Sequence, residues 1–183
     1  MSLRIVSGAA KGCRLKAPKG LDIRPTTDRV REALFNILGP RVAGAHFLDL
    51  FAGSGANAIE ALSRGAKTAI MVDGSAAAIA CIEENLAKAR LADRGCPIRM
   101  QLPRGLKRLA RLGIRYDLIF ADPPYGYSEM EALLETIVAE SLLADSGLLI
   151  VEHASGGPEL LEIEGLTLGR VEKYGRNALS FFS

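Results

Sequence analysis

Four consecutive residues, Asp122, Pro123, Pro124 and Tyr125, carry the most specific chemical signal in the chain. They follow directly on the apolar run 116–121, which predicts a buried strand. An exocyclic amine on a nucleobase is a poor nucleophile because its lone pair is delocalised into the ring. The Asp122 carboxylate and the Pro123 carbonyl can each accept one N–H of such an amine, and Tyr125 offers a ring for stacking. The pattern therefore favours methylation of an amino nitrogen.

The two prolines make this loop stiff. They fix φ near −65° and have no N–H of their own, so the acceptors are held outward rather than bonded within the loop. We predict that Asp122, Pro123, Pro124 and Tyr125 form the catalytic site. The alternative is an ordinary turn at the end of a strand, because Asp and Pro are common turn residues.

A second candidate site follows the first predicted strand. Two glycines there would let a ligand approach the backbone where a helix begins. A second strand ends in an acid, the usual place for a carboxylate that binds two ribose hydroxyls. The predicted cofactor-binding residues are Asp49, Phe51, Ala52, Gly53, Ser54, Gly55, Asp73, Gly74 and Asp122.

Residues 53–58 also fit the dinucleotide fingerprint G-x-G-x-x-G/A, but hydride chemistry would leave residues 122–125 without a role. S-adenosylmethionine, which carries both an adenosine and a reactive methyl group, accounts for both loops. No metal is expected, since two histidines and three widely spaced cysteines (Cys13, Cys81 and Cys96) provide no ligand cluster or disulfide framework.

From residue 46 onward, apolar strands alternate with amphipathic helices. This alternation predicts an α/β fold with a doubly wound, mainly parallel sheet, whose ligands bind at the carboxyl ends of the strands. A terminal antiparallel hairpin is predicted over 167–174 and 178–182. The predicted strands are 47–50, 69–73, 98–101, 118–121 and 148–151, and the predicted helices are 56–64, 76–91, 104–112 and 129–140.

The N-terminal residues are markedly basic. Residues 1–46 hold nine Lys or Arg and three acids, a net charge of +6, whereas the whole chain of 183 residues carries +2. We predict a small extension over 1–45, made of a β-hairpin or loop and a helix that ends at Gly39-Pro40, in front of a catalytic domain over 46–183. A basic patch attracts phosphates, although simple solubility would also explain it. The candidate RNA-binding residues are Arg4, Lys11, Arg14, Arg24, Arg29 and Arg31.

Arg31 falls at the edge of the apolar stripe of its helix, where a merely solvating charge is less expected; a snorkelling arginine is the competing interpretation. A second basic stripe, at helical spacing, consists of Arg104, Lys107, Arg108 and Arg111. It indicates either a solvated helix face or a phosphate contact. No apolar stretch reaches membrane-spanning length and the N-terminus lacks a secretory signal, so we expect a cytoplasmic protein.

Three blocks of sequence together resemble the bacterial 16S ribosomal RNA (guanine-N(2))-methyltransferase family. They are RPTTDRVREALFN at 24–36, DLFAGSG at 49–55 with EALSRGA at 60–66, and DPPY at 122–125. The resemblance covers essentially the whole chain, and the first block is its most specific part. It implies a class I, Rossmann-like methyltransferase fold that uses S-adenosylmethionine, and a monomer whose substrate is a guanine in small-subunit rRNA, within an assembled or assembling 30S subunit.

Two positions depart from the family pattern. Asp73 stands where the family usually has Glu, and one methylene less should still permit contact with the ribose. The third predicted strand ends in Leu102-Pro103-Arg104, where many relatives of the superfold place an acid or amide near the adenine.

Three other functions share part of the pattern. An adenine amino methyltransferase acting on DNA has the same catalytic motif, but this chain is short for an added DNA-recognition domain. Transfer to a protein glutamine is disfavoured, since relatives with that activity usually carry Asn at the position of Asp122. A non-catalytic rRNA-binding assembly factor would need neither the cofactor loop nor Asp122.

Overall fold

Five parallel strands and a terminal antiparallel pair form one seven-stranded sheet in a computed structural model of the chain. The structure describes residues 3–18, 26–156 and 162–183. The strands lie in the order β3-β2-β1-β4-β5-β7-β6. They are β1 (His46–Leu50), β2 (Thr68–Asp73), β3 (Gly95–Arg99), β4 (Tyr116–Ala121), β5 (Leu143–Ala154), β6 (Leu168–Tyr174) and β7 (Asn177–Phe182).

Helices cover both faces of this sheet. They are α1 (Thr26–Leu38), α2 (Ala56–Ser63), α3 (Ala76–Ala89), α4 (Leu106–Ala110) and α5 (Met130–Ala139), and a 3-10 turn, Gly39–Val42, follows α1. One apolar core cluster joins α1, α2 and α3 to the sheet, and a second joins α4 and α5 to its other face. The central strands are buried on both sides, so β1 and β4 have almost continuously apolar sequences. The predicted doubly wound α/β fold is confirmed.

The order of the strands determines where a ligand can bind. β1 pairs in parallel with β2 on one side and with β4 on the other. The chain runs outward from β1 to β3 and then returns to β4, so the strand order reverses at β1. At such a reversal the loops that follow neighbouring strands diverge and leave a crevice at the carboxyl edge. The loops after β1, β2 and β4 carry the candidate residues.

The terminal hairpin is also confirmed. β7 pairs antiparallel with both β5 and β6. Gly175 lies in the turn between β6 and β7 with φ of 63°, a conformation that favours glycine. All residues of β7 are buried, because this strand lies inside the sheet rather than at its edge.

Three predicted elements differ from the structure by two residues or more at both ends. β3 is Gly95–Arg99 rather than 98–101, because Gly95 and Pro97 suggest a loop but are tolerated in a strand at the edge of the sheet. The fourth helix is Leu106–Ala110 rather than 104–112, since it begins only after Pro103 and Gly105. β5 starts five residues earlier than predicted, and a register shift accompanies its pairing with β4.

The N-terminal residues form a loop closed by an antiparallel bridge between Arg4 and Arg14, a minimal version of the predicted hairpin. Two buried side chains of α2 hold this loop. The Glu60 carboxylate, 0% exposed, accepts the backbone N–H groups of Val6 and Ser7 over 2.8 and 3.0 Å. The Ser63 hydroxyl accepts the N–H of Ala10 and donates to the carbonyl of Ser7. The loop is therefore fixed to the sheet-bearing part of the chain.

The division into an extension (1–45) and a catalytic domain (46–183) stays a prediction. Apolar residues of the N-terminal loop and α1, including Leu3, Ile5 and Leu34, belong to the same core cluster as α2 and α3. None of the helices in the described ranges combines the length and the apolar character needed to cross a membrane.

Replacing Glu60 by Ala should destabilise the protein. Glu60 also accepts the Nε–H of Arg64 over 2.7 Å, so the substitution leaves an arginine and two backbone N–H groups without their acceptor. Breaking a buried pair in this way costs about 3 kcal/mol, measurable by urea unfolding. Trypsin should also cleave faster after Lys11 and Arg14.

Glu84→Ala provides the matched control. This exposed glutamate pairs with Lys16 at the surface, so its loss should leave the unfolding midpoint unchanged. Equal midpoints for the two variants would show that Glu60 does not hold the N-terminal loop.

Candidate active site

Three loops meet at the carboxyl edge of the sheet. The backbone N–H of Ala52, after β1, donates to the carbonyl of Val72 in β2 over 2.9 Å. On the other side, the N–H of Asp122 donates to the carbonyl of Leu50 over 3.4 Å. The loop after β1 therefore lies between the ends of β2 and β4, and the two predicted sites form a single site.

The loop after β1 turns sharply before α2 begins. Phe51, Gly53 and Gly55 all have positive φ, at 64°, 55° and 75°. Gly55 precedes the first residue of α2, and a Cβ atom there would lie 3.2 Å from the side chain of Ile82 and 3.3 Å from the sulfur of Met71. At Gly53 the nearest atom to an added Cβ is 4.0 Å away, so the space above this glycine is open. The loop thus packs tightly beneath Gly55 and presents an open backbone at Gly53.

Asp49 lies beneath this loop and is 1% exposed. One of its carboxylate oxygens accepts the N–H of Ala58, in the first turn of α2, over 3.2 Å. Burial raises the pKa of Asp49 to about 8. The hydrogen bond from Ala58 lowers this pKa, whereas the neighbouring charges of Asp122 and Asp73 raise it further. Asp49 is therefore mostly protonated near neutral pH, and a cation bound nearby would favour its charged form.

Asp73, at the end of β2, connects two loops. One carboxylate oxygen accepts the N–H of Gly53 over 2.9 Å, and the other accepts the N–H of Ser75 over 2.8 Å. Each oxygen of a carboxylate can accept more than one hydrogen bond, so Asp73 retains the capacity to bind hydroxyl groups of a ligand. The position fits the predicted ribose contact.

Gln101 is a further candidate site residue, which the sequence motifs do not include. Its side-chain amide lies over Gly74, since a Cβ atom at Gly74 would be 3.0 Å from both the Nε2 and the Oε1 atoms of Gln101. The sequence analysis looked for an acid or amide directly after a third strand ending at residue 101, where Leu102 and Pro103 stand. Because β3 ends at Arg99 instead, the position shifts to earlier residues, and Gln101 supplies the amide. A correct end for β3 would have pointed to Gln101.

The loop after β4 is open to solvent. Asp122 is exposed and Pro123 is half-buried, whereas Tyr125 exposes 66% of its surface. The N–H of Tyr127 donates to the carbonyl of Pro124 over 3.1 Å, which closes a tight turn. The loop therefore presents an aromatic ring and a carboxylate on the surface.

Tyr127 is a second residue that the motif search missed. Its ring meets the ring of Phe51 edge to face, with centroids 4.9 Å apart and an interplanar angle of 73°. This contact joins the loop after β4 to the loop after β1. The sequence indicates this contact only weakly. Tyr127 follows Tyr125 by two residues, and Phe51 is an aromatic residue against which its ring can pack.

Asn85 of α3 is a third such residue and is 0% exposed. Its amide nitrogen donates to the carbonyls of Ser54 and Lys16, each over 2.9 Å, and its oxygen accepts the N–H of Lys16 over 2.8 Å. One buried side chain therefore binds both the cofactor loop and the N-terminal segment. No local pattern reveals this role, because both partners are backbone groups distant in sequence.

The candidate RNA-binding residues are divided by exposure. Arg4, Lys11, Arg14 and Arg29 are exposed. Arg31 is 3% exposed, and its guanidinium donates to the carbonyl of Arg4 over 2.7 Å. The buried side chain of Arg31 supports the N-terminal loop, and a contact between Arg31 and RNA stays a prediction. Arg24 lies outside the described residues.

The cysteines and candidate metal ligands are dispersed. Cys13, Cys81 and Cys96 are free thiols. Across residues 3–18, 26–156 and 162–183, no group of three or more His, Cys, Asp or Glu side chains is arranged to hold a metal ion.

Comparisons with known proteins identify the relatives of this chain. The family model described as "Conserved hypothetical protein 95" matches residues 3–183. "Putative rRNA methyltransferase YlbH" of Bacillus subtilis is 39% identical and covers 98% of each chain. "Ribosomal RNA small subunit methyltransferase D" of Escherichia coli is 37% identical over 82% of this chain and 74% of its own.

The fold is similar to that of solved methyltransferase structures. A structure described as "Putative methyltransferase yhhF from Escherichia coli" superposes with a TM-score of 0.84 at 32% identity, over 100% of this chain and 97% of the other. The sheet is thus the Rossmann-like sheet of class I methyltransferases. With a family match along almost its full length and relatives of this similarity, the chain belongs to the conserved hypothetical protein 95 family, which includes ribosomal RNA small subunit methyltransferase D.

Proposed function

We propose that this protein transfers a methyl group from S-adenosylmethionine to the exocyclic N2 amine of a guanine in small-subunit rRNA. One observation carries the proposal: the loop with Asp122, the loop with Gly53 and the end of β2 at Asp73 meet at the carboxyl edge of adjacent strands. The printed names of the relatives support rRNA as the substrate class. The guanine amine and the 16S target come from the resemblance in the sequence blocks.

The residues of the site fit S-adenosylmethionine. Asp73 has lone pairs left to accept ribose hydroxyls, and the open space above Gly53 admits a ligand to the backbone. The amide of Gln101 offers one donor and one acceptor beside Gly74, which matches the ring nitrogen and the amine of an adenine. Asp49 lies where the cationic end of the cofactor would stabilise a carboxylate.

The chain's own contribution to the reaction is positioning. When bound, S-adenosylmethionine would supply an electrophilic methyl group on a sulfonium: as the N–CH3 bond forms the S–CH3 bond breaks, S-adenosylhomocysteine leaves as a neutral thioether, and the amine loses one proton. Asp122 and the Pro123 carbonyl accept the two N–H groups of the guanine amine, so that its lone pair turns towards the methyl group, and Tyr125 stacks on the base. Pro124 keeps the loop stiff. The exposure of Asp122 and Tyr125 suits a base swung out of its stack into the site.

The N-terminal loop would dock on RNA phosphates through Arg4, Lys11 and Arg14, with Arg29 at the start of α1. Glu60 and Ser63 fix this loop to α2, so a docked RNA would have a defined position relative to the site. We include in the proposal a cytoplasmic, monomeric enzyme that acts on rRNA within the 30S subunit or an assembly intermediate.

Methyl transfer to three nucleic acids in parallel tests the substrate. Unmodified small ribosomal subunits, naked 16S rRNA and duplex DNA are incubated with radiolabelled S-adenosylmethionine, and the labelled nucleoside is identified. We expect label in rRNA as N(2)-methylguanine, and more of it in the substrate that is recognised in the cell. Label in DNA adenine would replace this proposal by the DNA methyltransferase, and cofactor binding without any transfer would show that the substrate class is wrong.

Substitutions at Asp122 and Gln101 should separate catalysis from cofactor binding. Asp122→Ala should lower kcat by at least about 100-fold, since it removes an acceptor that positions the amine, while the Kd for S-adenosylmethionine measured by calorimetry stays close to that of wild type. Gln101→Ala should raise that Kd roughly 3- to 10-fold, the worth of about one hydrogen bond, with kcat at saturating cofactor retained.

Glu129→Ala is the control, because this exposed acid lies at the start of α5 and makes no side-chain capping bond. It should match wild type in both measurements. Loss of cofactor binding in Asp122→Ala with normal kcat at saturation would assign Asp122 to the cofactor instead.

Cofactor affinity should depend on pH through Asp49. In the free protein its pKa is raised to about 8, so the carboxyl is mostly protonated at pH 7. A bound cation lowers that pKa, so binding below pH 8 releases a proton from Asp49. The affinity for the cofactor should therefore rise with pH by up to about tenfold per pH unit, and should level off once the carboxyl of the free protein is ionised. Calorimetry in buffers of different ionisation enthalpy would measure the released proton.

Asp49→Asn is the control for this dependence. The amide does not titrate, so the contribution of residue 49 to the pH dependence of cofactor affinity disappears in the variant. The contribution of the cofactor's own titratable groups remains. Identical slopes for the variant and the wild type would rule out Asp49 as the source.

A further inference from the structure

A second basic region lies in the middle of the chain. Residues 90–115 contain eight Lys or Arg and a single acid, Asp93, a net charge of +7. This exceeds the +6 of the first 46 residues, in little more than half the length. The remaining segments are acidic, so the excess positive charge of the protein is concentrated in two places.

The structure arranges part of this charge on one surface. In α4, Leu106 and Leu109 are buried against the sheet, which leaves Lys107 and Arg108 exposed. Arg104 and Arg111, in the turns that flank the helix, are exposed as well. We call these four residues, Arg104, Lys107, Arg108 and Arg111, the α4 basic surface.

No folding role accounts for these four charges. None of the four forms an ion pair with a described residue, whereas the nearby Arg115 pairs with Asp145 over 2.7 Å. Like charges spaced three or four residues apart repel one another and reduce stability slightly. A surface that serves solubility alone usually intersperses both signs. The cluster therefore favours a polyanionic partner over self-association or packing.

The α4 basic surface also has a defined position relative to the site. Arg104 follows Gln101 by three residues, and Gln101 lies over Gly74 in the loop after β2. Arg99, at the end of β3, donates to the carbonyl of Gly74 over 3.3 Å. The stripe thus begins at the carboxyl edge of the sheet, beside the site.

This surface lies across the sheet from the N-terminal loop. α4 packs in the core cluster on one face, together with α5, while the N-terminal loop packs in the other cluster with α1 and α2. The catalytic loop opens at the edge between them. A nucleic acid that reaches Asp122 can therefore meet positive charge on both sides.

We propose that the α4 basic surface binds phosphates of the substrate rRNA and acts as a second anchor, opposite the N-terminal loop. The inference rests on the proposed function and adds a partner surface to it. Contacts to phosphate supply affinity without sequence readout, so this anchor would position the RNA rather than select the guanine.

The test compares two fourfold variants of equal charge change. The first is Arg104→Gln, Lys107→Gln, Arg108→Gln and Arg111→Gln. The control replaces four exposed basic residues away from both basic regions, Lys67, Lys88, Lys173 and Arg176, by Gln. Binding of a 16S rRNA fragment is measured over a range of salt concentrations, and methyl transfer, cofactor Kd and thermal unfolding are measured beside it.

We expect the first variant to bind RNA at least about tenfold more weakly near 0.15 M salt, with the slope of log K against log salt reduced by roughly 2 to 3. The KM for RNA should rise, while cofactor Kd and thermal unfolding stay those of wild type. The control should keep most of the slope. An unchanged slope in the first variant, or an equal loss in both variants, would overturn the inference.

Failure of the proposed function would look different. If the wild-type protein transfers no methyl group to rRNA, the substrate is wrong whatever the variants do. If wild type methylates rRNA and the first variant does so with an unchanged KM, only the second anchor is wrong.

Discussion

The pairing of β1 with β2 on one side and β4 on the other is the constraint on which the site depends. Because all three strands are parallel, their carboxyl ends fall on one edge, and three loops distant in sequence are brought together. The cross-links at this edge are backbone N–H groups donating to Val72, Leu50 and Asp73. The loops are therefore held by groups that most substitutions leave unchanged.

A small number of buried polar side chains also hold the N-terminal loop in place. Glu60, Ser63 and Asn85 are all nearly inaccessible, and each binds backbone groups of the N-terminal segment. Asn85 also binds Ser54, so the N-terminal segment and the cofactor loop share one anchor. Buried polar groups need such partners to be tolerated, which fixes the position of the loop that they bind. These bonds hold the N-terminal loop in a defined position relative to the loop after β1.

The sequence predicts the sheet and the two motif loops well, because strand burial, glycine turns and the residues 122–125 are local patterns. It predicts less well what depends on neighbours. Gly95 and Pro97 obscure the start of β3. Both residues are tolerated there because β3 is an edge strand, which only the strand order of the sheet shows. The burial of Arg31 depends on a tertiary contact, because the Arg4 carbonyl that binds it comes from a loop 27 residues away. Gln101 and Asn85 are likewise defined by tertiary contacts.

The two carboxylates nearest the proposed chemistry differ in environment, and this difference indicates different roles. Asp49 is buried, and its raised pKa makes its charge depend on what binds nearby. Asp122 is exposed at the end of β4, where solvent reaches its side chain. A group that holds an amine must be within reach of the substrate, and the exposed Asp122 meets that requirement. Under the proposed function, Asp49 would instead respond to the cationic cofactor.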